Sequence, residues 1–319
     1  MNKPIGLTLS LILLLPLFVT VAPVTAESDI GEKIDSLFVI ASSGEVMYRD
    51  MTEPAMDSIA ALGAPAVPFL VEKFATKSAR ERWTVIWILQ RIGSPAVPFL
   101  ITSLNRPEHL IVQRVCWALG DIGDTAAVEP LLGIAGHARW QVRDQSVGAL
   151  GKIGDKRAGT AVTRALDDPI GQVRKAAVVA AGQLGMDEVI PKLVHAFGDD
   201  FYGARMAAVD ALHKLDTVRV LEVLYDSAAS ERDMVGSIVS SMLGGYATDQ
   251  AIDILNEQAR NGATPNRRAH AAVALAIADP WDNCGYMEEI LKTESDRLIR
   301  LKIHSAIRTA RNEQEEPSK

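Results

Sequence analysis

The chain predicts an all-α solenoid of about eight to nine helix pairs, and three observations carry that expectation. The stretches VRDQSVGALGKIG (142–154) and VRKAAVVAAGQLG (173–185) are variants of one pattern: Val-Arg at the start, small apolar residues at helical spacing, and a closing Gly. With the closing residue as position zero, the frame recurs at Gly63, Gly93, Gly123, Gly154, Gly185, Asp216, Ala247, Asp279 and Arg311, in steps of 30, 30, 31, 31, 31, 31, 32 and 32 residues. Position −4 reads Ile59, Leu89, Leu119, Leu150, Ala181, Leu212, Leu243, Leu275 and Ile307, and position −11 is Arg in six of nine units: Arg82, Arg143, Arg174, Arg205, Arg268 and Arg300. A fixed period held this long describes stacked copies, each burying its apolar stripe against its neighbours.

Residues 1–26 lie outside this frame. Lys3 supplies a short positive start, Leu7 to Val21 is apolar apart from Thr8, Ser10, Thr20 and Pro16, and Val24-Thr25-Ala26 places small residues where a signal peptidase reads. The expectation is a secretory signal cut before Glu27, giving an exported chain, periplasmic or extracellular. An uncleaved anchor needs a longer run, unbroken by Pro16, and no later stretch reaches the length of a membrane helix. Residues 27–49 form an N-terminal cap, with Ile30, Ile34, Leu37, Phe38 and Ile40 on one helix that ends near Ser42-Ser43-Gly44. A cap covers the apolar face that the first unit otherwise leaves in water.

The array runs over 50–311. In the unit closing at Gly93, Pro65 suits a helix first turn, where its missing N–H has no partner to lose. Ala66, Val67, Phe69, Leu70 and Phe74 mark the buried stripe of a short first helix. Ser78 is placed to cap a second helix over 79–92, and Gly93 to end it with a positive φ. Pro95 to Leu100 copies Pro65 to Leu70; later units replace Gly-x-Pro with Gly123-Asp124, Gly154-Asp155 and Asp216-Thr217, where Asp or Thr takes over the cap. Tyr246-Ala247 stands where Ile-Gly or Leu-Gly closes other units, Asn261 to Pro265 lengthens one turn, 295–311 is the last helix, and 312–319 is a short charged tail.

Composition narrows the function. Removing Lys3 with the signal takes the net charge from −7 to −8, a balance unsuited to phosphate backbones, so no nucleic-acid partner is expected. Cys116 sits in a column otherwise filled by Ile86, Val147, Val178 and Val209 and reads as a small core residue. Cys284 lies five units away, too far for a bridge in a stacked array. The six His residues are scattered, so no metal and no cofactor are expected. Nucleophile elbows, phosphate loops and zinc spacings are absent from the sequence. Gly148, Gly151 and Gly154 sit within and at the end of a helix and suit close helix packing.

At about 100° per residue the second helix of each unit has two faces. Positions −1, −4, −5, −8 and −12 are apolar in most units; −3, −6, −10 and −13 fall opposite and are expected to look into the groove of the solenoid. Position −6 reads Trp87, Trp117, Gly148, Val179 and Asp210, and position −10 reads Trp83, Gln113, Asp144, Lys175 and Met206. Three Trp residues therefore meet near the N-terminal end. Either they anchor a partner, together with Gln90, Arg91, Gln113 and Asp121, or they pack under the cap or on each other.

The Val-Arg start, the closures Ala118 to Gly123 and Ala149 to Gly154, and Asp168 ahead of Val173-Arg174 resemble the short HEAT-like repeats of the phycobilin lyase (E–Z) type, over about 50–311. That resemblance implies an armadillo/HEAT-like superhelix with second helices lining its concave side. It also implies a ladder in which Arg143, Arg174 and Arg205 join Asp168 and Asp199 along the stack. The ladder is expected to be interrupted at Val112 and Gly236, which occupy two of the Arg places. Metal hydroxylases built on this repeat carry paired His-Glu dipeptides, and no His here precedes Glu. The expected function is non-catalytic binding of a protein or peptide through the concave face. Its rivals are an envelope carbohydrate-binding module using exposed Trp and an enzyme of the lyase branch, which needs a ligand-sized acidic pocket with clustered polar groups that the sequence does not offer.

Overall fold

The computed structural model describes residues 22–228, 233–278 and 284–315. Among them every regular element is helical. The cap is α1 (Ala22–Ala41), a 3-10 turn at Val46–Met51, and α2 (Thr52–Ala60), which is the second helix of the first unit. First helices then alternate with second helices: α3 (Val67–Lys73) with α4 (Ala79–Ile92), α5 (Val97–Ser103) with α6 (His109–Ile122), and α7 (Val128–Ile134) with α8 (Trp140–Ile153). There follow α9 (Gly159–Ala165) with α10 (Gly171–Leu184), α11 (Ile190–His195) with α12 (Tyr202–Leu212), and α13 (Thr217–Ser227) with α14 (Asp233–Tyr246). The array ends with α15 (Asp249–Asn261), α16 (Pro265–Ala278), α17 (Cys284–Thr293) and α18 (Arg297–Glu315). Contacts run from each helix to the next units in line, which makes the fold an all-α solenoid.

Most local expectations hold at the atomic level. The Ser78 hydroxyl accepts from the Glu81 N–H at 3.3 Å, and Asp124, Asp155 and Asp216 cap the helical turns that follow them. Gly63, Gly93, Gly123, Gly154 and Gly185 all have φ between 65° and 76°. The Leu column Leu89, Leu119, Leu150 and Leu212 is fully buried, as is Cys116, whose thiol burial pushes up to about 12.

Four details differ. First helices open with a 3-10 turn, such as Ala64–Ala66, so Pro65 lies in that turn and Pro68 takes the first turn of α3. The last helix continues to Glu315, into the segment expected to be a tail. Helix α1 begins at Ala22, upstream of the expected cleavage point; residues 1–21 and the Cys284 side chain lie outside the described residues. The largest correction concerns position −3 where it is Gly: there it faces the next helix and not the groove, whereas Gln90 and His213 at −3 are exposed. A Cβ built on Gly120 or Gly151 would lie 2.7 Å from the Cα of Ala149 or Ala180, and one on Gly182 or Gly244 2.9 Å from the Cα of Ala211 or Ala274. A Gly at −3 is thus where one second helix lays its backbone against position −5 of the next. Only Gly permits that approach.

Two predictions follow from these glycines and their one substitute. Gly148, one turn from Gly151 in the same helix, has open space where its Cβ would be. Gly151→Ala is expected to lower stability by about 2 kcal/mol through overpacking, and Gly148→Ala to raise it by about 1 kcal/mol through helix propensity; urea midpoints of the two variants shift in opposite directions. Ala247 holds a φ of 50° at a closing position, so Ala247→Gly is expected to stabilise by about 1 kcal/mol, read as a raised Tm.

Candidate functional site

The ladder is the better-ordered of two polar assemblies. The Arg143 Nε and Nη2 donate to the two oxygens of Asp168 at 2.7 and 2.9 Å, and Arg174 makes the same fork with Asp199 at 2.7 and 2.7 Å. Five of the six also donate to a carbonyl six residues before them, Arg143 to His137, Arg174 to Asp168, Arg205 to Asp199, Arg268 to Gly262 and Arg300 to Glu294, and Arg82 donates to Lys77, five before it. The chain leaves each first helix in a turn whose carbonyls have no helical partner; the Arg of the next helix supplies it. Arg268 reaches Glu294 at 3.3 Å. Arg205 lies 5.2 Å over the Tyr202 ring, and the residue equivalent to Asp168 and Asp199 in its unit, Ser230, is outside the described residues.

At two of the three gaps another Arg stands nearby. Beside Val112, the buried Arg114 donates to the carbonyls of Phe74 and, at 2.8 Å, Thr76. Beside Gly236, the buried Arg267 of the following unit enters the vacant space, its Nε 3.1 Å from where a Cβ would stand. The sequence signal was available: each of these two gaps is accompanied by an additional Arg on a helix that already has, or lacks, one at −11.

The second assembly is a groove of about 520 Å³ on the free face of α4, α6, α8 and α10. Trp83 packs edge-on against Trp117, with ring centroids 4.5 Å apart at 83°, and lies 6.0 Å from Trp87. Trp83 and Trp87 remain 44% and 45% exposed. The rings thus pack on each other, away from the cap, and still face solvent. Beyond them the floor is low: Gly148, Ala149, Ala176 and Val179. One rim carries Asp121, Lys152 and Gln183; the other carries Asp144, Gln145 and Lys175. Lys152 donates to Asp121 at 2.5 Å, and Gln145 donates to Asp144 at 2.8 Å. Burial pushes the Asp144 carboxyl above its ordinary range, against the opposing pull of Gln145 and Lys175.

Of the residues named from sequence, Trp83, Trp117 and Asp121 line this groove, and Trp87 touches it through Trp83. Arg91 turns toward α2, where it pairs with Glu53 and, at 3.4 Å, with Asp57. Gln113 is half-buried, and Gln90 occupies the −3 position of α4. The groove is of ligand size and clusters polar groups, a feature the sequence reading did not expect. Asp144, Gln145, Lys152, Lys175 and Gln183 were missed because their columns hold different residue types in each unit. Among the described residues no three His, Cys, Asp or Glu side chains form a metal-binding group, and no single helix is long and apolar enough to cross a membrane.

A family model for HEAT repeats matches residues 97–181 and 163–240. Over residues 97–240 the chain thus matches HEAT repeats, in agreement with the all-α solenoid described above. Its structure is similar to that of the E. coli protein YibA, at 15% identity and a TM-score of 0.50, covering 80% of this chain and 96% of that one. More distant similarities are to the complex of CpcE and CpcF of phycocyanin lyase from a Nostoc species (19%, TM-score 0.40, 76% and 94%) and to human deoxyhypusine hydroxylase (16%, TM-score 0.36, 79% and 98%). These are likenesses of fold. A sequence search of curated proteins finds no match.

Ladder energetics give a pH-dependent expectation. Burial pushes Asp168 upward, but hydrogen bonds from Arg143 and the Ile170 N–H and the charges of Arg143 and Arg174 outweigh it, so its carboxyl titrates below the ordinary range. A carboxylate depressed in the fold contributes stability above its unfolded value of about 4 and loses that contribution as pH falls through its folded value. Asp168→Asn is expected to cost about 3 kcal/mol at neutral pH. In urea titrations the gap between variant and parent narrows as the pH is taken below that of the native carboxylate.

Proposed function

We propose that the chain is an exported scaffold that binds another protein or a peptide through the free face of its second helices, without catalysing a reaction. The observation that carries this reading is the Trp83–Trp87–Trp117 cluster: large rigid rings, held by mutual contact and open to water, beside a floor reduced to Gly148. Aromatic anchors of this kind contribute apolar area at little entropic cost. Exposed apolar side chains continue along the same row of second helices at Leu110, Met206, Met234, Ile277 and Leu301, a reach that suits a polypeptide better than a small molecule. In the groove Asp121 pairs with Lys152, and Asp144 accepts from the neutral Gln145 amide.

A carbohydrate ligand is the second reading, because half-exposed Trp rings flanked by carboxylates and amides also suit a sugar face. The two part on one experiment. The mature chain, captured with its partners from the exported fraction and run on a glycan array, is expected to hold a polypeptide and to leave the array blank. Gly148→Leu, which fills the floor without touching the buried face, and the Trp87→Ala/Trp117→Ala double variant are each expected to lose that capture; unchanged capture in both removes the groove from the function. Export is tested by fractionation, with Glu27 expected as the mature N-terminus.

A further inference from the structure

The glycine contacts between second helices are not uniform, and one of their exceptions falls beside the groove. Four interfaces pair a Gly at −3 with an Ala at −5 of the next unit: Gly120 with Ala149, Gly151 with Ala180, Gly182 with Ala211 and Gly244 with Ala274. The helix pairs they join, α6–α8, α8–α10, α10–α12 and α14–α16, are the most closely packed in the array. Where the pairing is broken, the helices stand apart. Between α4 and α6 the partner Ala118 is present, but Gln90 replaces the Gly, and the two helices meet over a small part of their length. Between α12 and α14 both members differ, His213 and Met242, and the helices hardly touch.

Backbone-to-backbone contact leaves a helix pair little room to rotate, because any tilt drives a Cα into its neighbour. A pair with any side chain at −3 has no such stop: the Cβ there keeps the backbones apart, and the rest of Gln90 lies exposed beside the contact. In a solenoid, stability is a sum of neighbour interfaces, so motion concentrates at those that lack this contact, and α4–α6 is the one of them that the groove crosses. Helices α6 to α12 therefore form one stiff block, and α4, with α1 to α3, hangs from it at Gln90. The groove spans this boundary: Trp83 and Trp87 stand on the hanging part, while Trp117, Asp121 and the low floor belong to the block.

We propose that the α4–α6 interface is a hinge created by Gln90 and that the Trp83–Trp117 contact is its latch, so that the groove opens when the two rings separate. The hinge is a property of the apo chain. Its use in partner binding rests on the reading of the groove given above.

The test uses spin labels on the full chain with Cys284 replaced by Ser; Cys116 is buried, with its thiol pushed up to about 12, and does not compete for label. Labels at the exposed Ser58 and Thr160 span the hinge, and labels at the exposed Thr125 and Glu188 lie within the stiff block. The Ser58–Thr160 distance distribution is expected to be broader than the Thr125–Glu188 one. Gln90→Gly, which completes the pairing with Ala118, is expected to narrow it to the width seen within the block, and Trp83→Ala to broaden it further. Gly151→Gln, which breaks a pairing inside the block, is expected to broaden the Thr125–Glu188 distribution. Equal widths in the parent chain, or a Ser58–Thr160 width that Gln90→Gly leaves unchanged, overturn the hinge. Should Gln90→Gly fail to fold, the parent comparison and Gly151→Gln still decide. With a captured peptide in hand, Gln90→Gly is expected to weaken binding by about tenfold, since the open state becomes rare. A narrowed distribution with unchanged affinity keeps the hinge and removes its role at the groove; lost capture in the Trp variants with a rigid parent does the reverse.

Discussion

The approach of one second helix to the next, Gly against Ala, is the contact on which the rest of the array depends. It brings backbones so close that no side chain stands between them, and dispersion attraction is collected along the whole contact. Because the same pairing recurs at Gly120, Gly151 and Gly182, the angle between successive units is repeated and not adjusted at each step. The apolar stripe of each helix pair then meets its neighbour in constant register. The Leu column at Leu89, Leu119, Leu150 and Leu212 is dry throughout, including at the two units whose −3 residue is not Gly. Stripe and contact are separate requirements: the stripe supplies the drive to stack, and the glycine sets how closely the stack closes.

A close stack raises a second requirement, the backbone at the turns. Each first helix is short and ends in carbonyls that water reaches poorly once the next unit is seated. The recurrent Arg answers this by donating to a carbonyl six residues back and forking onto a carboxylate of the adjoining unit, as Arg174 does with Asp168 and Asp199. A planar guanidinium meets both demands at once, which a Lys ammonium cannot. The need is strong enough that two of the three units lacking the Arg have filled the space from another position. Arg114 answers the carbonyls of Phe74 and Thr76, and Arg267 occupies the room over Gly236.

The fold was legible because repetition multiplies a weak local signal. One Val-Arg or one Leu at −4 means little, whereas nine in register specify helix, closure and stacking together. The helix ends at Ser78 and Asp155 were equally readable, since capping is settled by neighbours in the chain. Position −3 was not readable from apolar periodicity. Gly has almost no hydropathy, so an arc drawn from apolar residues leaves it on the polar side, although it lies in the tightest contact of the structure. The trace was present in a different form, as Gly at −3 coinciding with Ala at −5 one unit later. Of the site, the Trp cluster was visible because large rings on a polar arc stand out. Its rims were not, because Asp121, Lys152, Asp144 and Lys175 pair across units and no column repeats them. Arg91 shows the limit of reading a face one helix at a time: its position points to the groove, and its charge takes it to Glu53 and Asp57 on α2.

What distinguishes this array from a featureless stack is where its own rule fails. A solenoid whose every interface closed on Gly and Ala would present an unbroken, shallow inner face. At Gln90 the rule is half kept: Ala118 is still in place to receive a glycine that is not there. The gap so opened is wide enough for Trp83 to lean across and meet Trp117, and narrow enough that the two rings touch. The corresponding positions on α8 and α10, Asp144 and Val179, line the open part of the same groove, so this end is set apart by large rings standing where smaller side chains leave the rest low. The site needs both the rings and the low floor beside them.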